Sequence, residues 1–137
     1  MGMMDKPLPT KDEDSEKFWS GTQQGKLRVK KCADCRKHHF FPRSICPHCH
    51  SDAVDWVEAS GTGTVYSFTV ARRAAGPAFK DEVPYAIALI ELDEGPRMMS
   101  RIGGDPARVR IGAKAEVYFE AISPDCTLPF FRLTGAE

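Results

Sequence analysis

Four of the five cysteines in this chain form two Cys-x-x-Cys pairs, Cys32/Cys35 and Cys46/Cys49, with ten residues between them. Two thiols three residues apart converge on one ion from a tight turn, and a second pair completes a tetrahedron. Four thiolates leave no open coordination position, so a metal there orders the chain and activates no water. Structural zinc is the expected ion, and iron in a tetrahedron of four sulfurs is the competing one. A disulfide scaffold belongs to oxidising compartments, and a redox site of the thioredoxin kind shows a single pair beside a βαβ pattern. His48 lies between two ligands and His50 just after one. Both read as exposed knuckle residues rather than substitute ligands, and His38 and His39 read as surface groups of the intervening loop.

The surroundings of the cluster are cationic. Between residues 26 and 43, Lys26, Arg28, Lys30, Lys31, Arg36, Lys37 and Arg43 face only Asp34, an excess of six positive charges. With Phe40 and Phe41 beside them they resemble a phosphate surface with a stacking platform. A zinc ion with four thiolates carries a net charge of about −2, however, and nearby cations offset it. Elsewhere the chemistry is sparse. The sequence has no Gly-rich phosphate loop, nucleophile elbow or His-Glu-x-x-His motif. Cys126 stands alone in "SPDCTLPFF" and reads as a buried structural thiol. Arg72 and Arg73, at the end of a strand, are the candidates for holding a diphosphate. Trp19 and Trp56 read as packing anchors between modules.

These groups must be positioned by one modest domain. The chain has 137 residues, 42% of them apolar and 28% charged, with 19 basic and 19 acidic side chains. Zero formal net charge argues against a strongly basic nucleic-acid binder. No apolar run approaches the ~20 residues of a membrane span, and the polar start "MGMMDKPLPTKDEDSEK" has no signal-peptide core. A cytoplasmic protein with no membrane association is the expectation. Residues 1–10 read as a flexible lead-in. Thr10 and Glu13 form a capping-box pattern that opens a helix carrying Phe18 and Trp19 and ending at Gly21 or Gly25.

Strand signals fill the rest. "KLRVKKC" alternates into the first knuckle, and "AVDWVEASGTGTVYSFTVARR" is strand-like but broken at "SGTG", with Tyr66, Phe68 and Val70 on one face. "YAIALIEL" is apolar on both faces and so central in its sheet. "DEGP" turns the chain into "RMMSRI", "GGDPARVRIG" connects irregularly, "AKAEVYFEAI" puts Ala115, Val117, Phe119 and Ala121 inward, and "TLPFFRLT" closes the chain. The fold class read from this pattern is mainly β. It has an N-terminal helix (1–25, with the lead-in), a rubredoxin-like zinc ribbon (26–52) and a five-stranded OB-fold barrel (53–137).

The order of these features resembles one family. "KFWSGTQQGKLRVKKCADC", "FFPRSICPHCHSDAVDWVEASGTGTVYSFTV", "VPYAIALIELDEGPRMMSRI", "IGAKAEVYF" and "LPFFRL" are similar, from about residue 12 to 134, to the OB-fold, zinc-ribbon proteins catalogued as domain of unknown function thirty-five. These are described as acyl-CoA-associated. The resemblance implies a non-catalytic accessory subunit that binds a thiolase-like enzyme or a hotdog-fold enoyl-CoA hydratase, with acyl-CoA as a further ligand. It also implies that Cys32, Cys35, Cys46 and Cys49 are the metal ligands, and it supplies no catalytic residue. The chain departs from the expected glycine after each second knuckle cysteine, having Arg36 and His50 there. The alternative reading, single-stranded nucleic-acid binding by the OB barrel, is opposed by nine basic against ten acidic residues in 61–137.

Overall fold

The computed structural model describes residues 8–74 and 76–134; most of the lead-in read at 1–10 lies outside them. The first element, α1 (Glu16–Gln23), starts later than the capping-box pattern predicts. Asp12, not Thr10, organises its approach: the Ser15 amide and hydroxyl both donate to Asp12 Oδ1, at 2.8 and 2.7 Å. The Ser15 hydroxyl holds the Asp12 carboxyl below its usual range. This Asp-centred turn occupies the residues that a capping box would have wound into the helix. At the other end Gly25 adopts φ 75°. There the Lys26 amide donates to Gly21 O at 2.8 Å and the Gly25 amide to Thr22 O at 3.0 Å, the paired bonds of a Schellman stop.

Strand β1 (Arg28–Cys32) is the middle of a three-stranded antiparallel sheet, flanked by β2 (His38–His39) and β3 (Val54–Glu58). Leu27 and Val29 are buried at alternate positions, as the sequence pattern requires, with Lys31 exposed, while Cys32 is buried on the opposite face at the start of the knuckle. Strands β4 (Thr62–Ala71), β5 (Tyr85–Leu92), β6 (Arg97–Ile102), β7 (Lys114–Ser123) and β8 (Cys126–Leu133) form a closed barrel in the order β4-β5-β6-β8-β7. All its pairings are antiparallel except β6 with β8. Five strands closed in this order make an OB barrel. Gly61 serves the break between β3 and β4: its φ is 83°, and a Cβ there would meet Val117 Cγ1 at 2.6 Å.

The barrel interior is filled from alternate positions, with Ala86, Ala88, Ile90 and Leu92 of β5 and Phe131 of β8 all at most 2% exposed. β5 bonds to strands on both sides, as every strand of a closed barrel does, and only one of its faces is buried: Leu89 on the other is 37% exposed. Phe18, Leu27 and Val29 belong to the same buried cluster as Val65 and Phe131, so helix, ribbon and barrel share one core. Trp19 and Trp56 pack half-buried against it.

Two parts of the strand reading change. A bulge between Val65 and Ser67 throws Tyr66 outward, where the Arg97 guanidinium lies 3.7 Å over its ring. Tyr66 therefore does not share a face with Phe68 and Val70, which take the register of Ala88 and Ala86. Of the four residues assigned inward on β7, Ala115 is buried and Val117 and Phe119 pack on the core. Ala121 is exposed, because the β7–β8 hairpin runs on past the barrel.

Closure is thinnest at the parallel β6–β8 seam, where Ile102 and Phe131 are paired and the Gly103 amide donates to Phe131 O at 2.8 Å. Pro129 has no amide to offer this seam, but the buried Ser100 hydroxyl donates to its carbonyl at 2.9 Å. Removing that hydroxyl leaves a partly buried acceptor unpaired, at a cost of about 1–3 kcal/mol. Ser100→Ala should therefore lower the denaturant midpoint without changing the slope of unfolding. An unchanged midpoint would show that the bond contributes nothing to closure.

Candidate metal centre

Each Cys-x-x-Cys pair sits in the same backbone loop. The Cys32 carbonyl accepts from the Arg36 amide at 2.8 Å and the Cys46 carbonyl from the His50 amide at 2.9 Å. The Cys32 amide donates to Lys37 O at 3.0 Å, and the Cys46 amide to Ser51 O at 2.8 Å. To turn this tightly the residue after each second cysteine takes a left-handed conformation, φ 65° at Arg36 and φ 67° at His50. Glycine adopts that region at no steric cost, whereas other residues lose about 1–2 kcal/mol there. The glycine expectation thus identifies the backbone conformation correctly, although this chain fills it with side chains. Contacts between the loops fix their relative position: the Ala33 amide donates to Ala53 O at 2.8 Å, and the Ser51 hydroxyl bonds the Asp34 carboxylate.

The four Sγ atoms all lie within 4.8 Å of one another, with Cys32–Cys49 and Cys35–Cys46 at 3.6 Å. A tetrahedral ion with bonds of about 2.3 Å needs sulfurs about 3.8 Å apart, so these residues fit zinc. Cys32 and Cys46 are buried, Cys35 is half-buried and Cys49 exposed. Burial raises the Cys46 thiol, but the amides of Cys49 and His48 and the thiol of Cys35 bring it down to about 6. The Cys32 thiol is also lowered, chiefly by the Cys35 amide. The Ser51 amide favours the Cys49 thiolate, yet desolvation and the other three sulfurs push it up to about 12. The Cys46 thiolate forms readily, whereas the Cys49 thiolate needs a cation beside it.

The other candidates are dispersed. His48 and His50 are exposed, as expected. His39 is not the surface group it was read as: it is 6% exposed in β2, and burial holds its ring below the ordinary histidine range. Phe40 packs edge-on against Phe18 at 5.5 Å, whereas Phe41 is 64% exposed. Lys30 lies 4.9 Å over the Trp56 ring, so part of the basic run is spent on packing. Cys126 is 3% exposed. Arg72 and Arg73 are exposed just after β4. The sequence reading placed no site on the outer faces of β6, β7 and β8, where hollows open between strands remote in sequence.

Zinc displaces protons from these thiols, so its affinity should fall as pH falls, more steeply below about 6 where the Cys46 thiolate also protonates. Metal retention across a pH series, measured by elemental analysis, checks the sign, and Cys46→Ser should lose the metal at every pH. Arg36→Gly should hold or raise thermal stability, whereas Arg36→Val should lower it by about 1–2 kcal/mol or more, because a β-branched side chain fits φ 65° worst.

The chain matches two adjacent family models: the "ChsH2, rubredoxin-like zinc ribbon domain" over residues 19–55 and the "ChsH2, C-terminal OB-fold domain" over residues 56–120. It is 38% identical over 128 residues to a protein of Thermomonospora curvata named "Probable enoyl-CoA hydratase alpha subunit", covering 93% of this chain but 40% of that one. It thus spans about two fifths of that relative's length. A "DUF35 domain-containing scaffold protein" of Methanothermobacter thermautotrophicus is 34% identical over 102 residues, 73% of this chain and 76% of its own. Among solved structures, a chain of the "Ltp2-ChsH2(DUF35) aldolase" superposes with a TM-score of 0.81 at 38% identity, covering 91% of this chain and 98% of that one. A four-thiol ribbon fused through one core to an OB barrel, matched over most of its length by these relatives, makes this chain a member of the DUF35 family of zinc-ribbon, OB-fold proteins.

Proposed function

We propose that this chain is a non-catalytic accessory subunit that docks on an enzyme of coenzyme-A thioester metabolism, of the thiolase-like or hotdog-fold enoyl-CoA hydratase kind, and that it contacts the acyl-CoA itself. The observation that carries the reading is the near-complete superposition on the DUF35 chain of an aldolase complex. The coenzyme-A thioester enters the reading from the name of a second relative, an enoyl-CoA hydratase alpha subunit.

The chemistry of the chain agrees with an organising role. Four sulfurs around one ion offer no position for a substrate, so the structural zinc holds the two knuckles together and supplies no electrophile. The buried Cys126 is poorly placed to act as a nucleophile. The shared core makes helix, ribbon and barrel one rigid adaptor, a suitable platform for a larger partner. Arg72 and Arg73, exposed at the mouth of the β4–β5 loop, are the sequence-derived candidates for the CoA phosphates.

Native capture with the tagged full chain should recover a thiolase-like or hydratase subunit in stoichiometric amount, identified by mass spectrometry. Recovery of nucleic acid with ribosomal or transcription proteins would overturn the reading. Arg72→Ala and Arg73→Ala should each weaken CoA binding severalfold if these side chains hold phosphates, and unchanged binding would remove them from that role.

A further inference from the structure

The two knuckles bring the same backbone loop to the metal, and each brings one shielded and one accessible sulfur. Cys32 and Cys46 are 0% exposed, whereas Cys35 is half-buried and Cys49 exposed. Cys49 stands in a turn whose four residues, Pro47 to His50, are all exposed. The Cys46 sulfur, by contrast, is held from within the loop, accepting from the His48 amide at 3.3 Å. The 3.6 Å contacts Cys32–Cys49 and Cys35–Cys46 both cross from one knuckle to the other. Each therefore joins an accessible sulfur to a buried one.

That pairing has a covalent consequence. A disulfide brings two sulfurs to about 2.05 Å, so closing the Cys32–Cys49 contact moves them about 1.5 Å nearer each other. The bond would span 17 residues and tie the first knuckle to the second. A bond inside one Cys-x-x-Cys pair would leave the two knuckles unconnected. Oxidation across the knuckles can thus replace the metal as the link between them.

A cysteine that ligates zinc does so as the thiolate, which is also its nucleophilic form. The exposed Cys49 thiolate can attack one oxygen of hydrogen peroxide. The O–O bond breaks, Cys49 becomes a sulfenic acid, and hydroxide leaves and takes up a proton. The Cys32 thiolate, 3.6 Å away, then attacks the Cys49 sulfur, forming the disulfide and expelling a second hydroxide. Two thiolates have given two electrons to one peroxide, which ends as two waters. Only Cys35 and Cys46 remain to hold a metal, half the ligands that a structural site requires. The reverse path is open too, because a small thiol can reach the exposed Cys49 sulfur and release Cys32, and a second thiol then frees Cys49.

We infer that the four-thiol centre is a peroxide-responsive switch, in which Cys49 is oxidised first, Cys32 captures it across the knuckles, and the metal is released reversibly. The change is felt beyond the ribbon. Cys32 ends β1, which pairs with both β2 and β3. Phe40, next after β2, packs on Phe18 at 5.5 Å, and Phe18 on Trp19 at 4.9 Å. A shift of the Cys32 end of β1 is therefore passed to the helix that closes the shared core. Cys126 takes no part, being 3% exposed and outside the cluster. The inference adds a control to the accessory role and does not depend on it.

Titration of the full zinc-loaded chain with hydrogen peroxide tests it, with freed zinc read by a chromogenic chelator and linkages by peptide mass spectrometry without reductant. About one equivalent of peroxide should free the metal and yield the Cys32–Cys49 linkage. Added thiol and zinc should then restore the loaded chain and its original tryptophan fluorescence. Limited alkylation of the loaded chain with N-ethylmaleimide should mark Cys49 before Cys32, Cys46 or Cys126. Cys126→Ala should free zinc at an unchanged rate. The inference fails if zinc stays bound under peroxide that fully oxidises free cysteine, if the linkages lie within one knuckle, or if thiol and zinc do not reverse the release. Native capture before and after peroxide separates this from the accessory reading. A chain that cycles its zinc but captures no enzyme in either state sinks the accessory role alone. One that captures enzyme and keeps its zinc under peroxide sinks the switch alone.

Discussion

Four sulfurs held within 4.8 Å of one another cannot all ionise without a cation, and the N-terminal third of this protein is arranged around that requirement. The ribbon's own sheet is small, with a two-residue outer strand and a short β1 and β3. Such a sheet cannot bury enough apolar surface to be stable alone. A metal supplies the missing constraint. It closes both knuckles, offsets the left-handed backbone at Arg36 and His50, and fixes the end of β1 at Cys32. Because Val29 on the same strand lies in the common core, the position of Cys32 is transmitted to the barrel.

The barrel contributes the opposite property. Among the described residues its interior is filled by Phe131, Ile90 and Ile102 between small residues such as Ala86 and Ala88. In the accessory role proposed above, a four-thiol site with no open position and a packed barrel would present shape and charge to an enzyme.

The outer surface is uneven in a way that composition conceals. Nine basic and ten acidic residues in 61–137 cancel in a sum. In the fold many of the acids are occupied by neighbours, as with Glu82 on Arg101, Glu116 on Arg132 and Asp93 on the Thr62 hydroxyl. The basic residues Arg108, Arg110 and Lys114 fall close together in the β6–β7 connection. Net charge bears on solubility and long-range attraction, whereas recognition depends on where the charges are placed.

What the sequence determined by itself was local. Two ligands three residues apart define a knuckle, and alternation over five to ten residues defines a strand. Those signals sufficed for the ribbon, the barrel and the four thiols, because each depends on residues close in sequence. Tertiary structure decided the rest. The bulge at Tyr66 depends on how β4 registers against β5, the burial of His39 on the pairing of β2 with β1, and the helix start on Asp12 capturing Ser15. The hollows on the outer face draw on residues from Phe79 to Leu133, and no pattern within any one strand announces them. Their existence follows from barrel closure, which sets β6 beside β8 across a seam of few hydrogen bonds. Pairing between distant segments is fixed by the packing of the whole core, and a linear sequence does not display that packing.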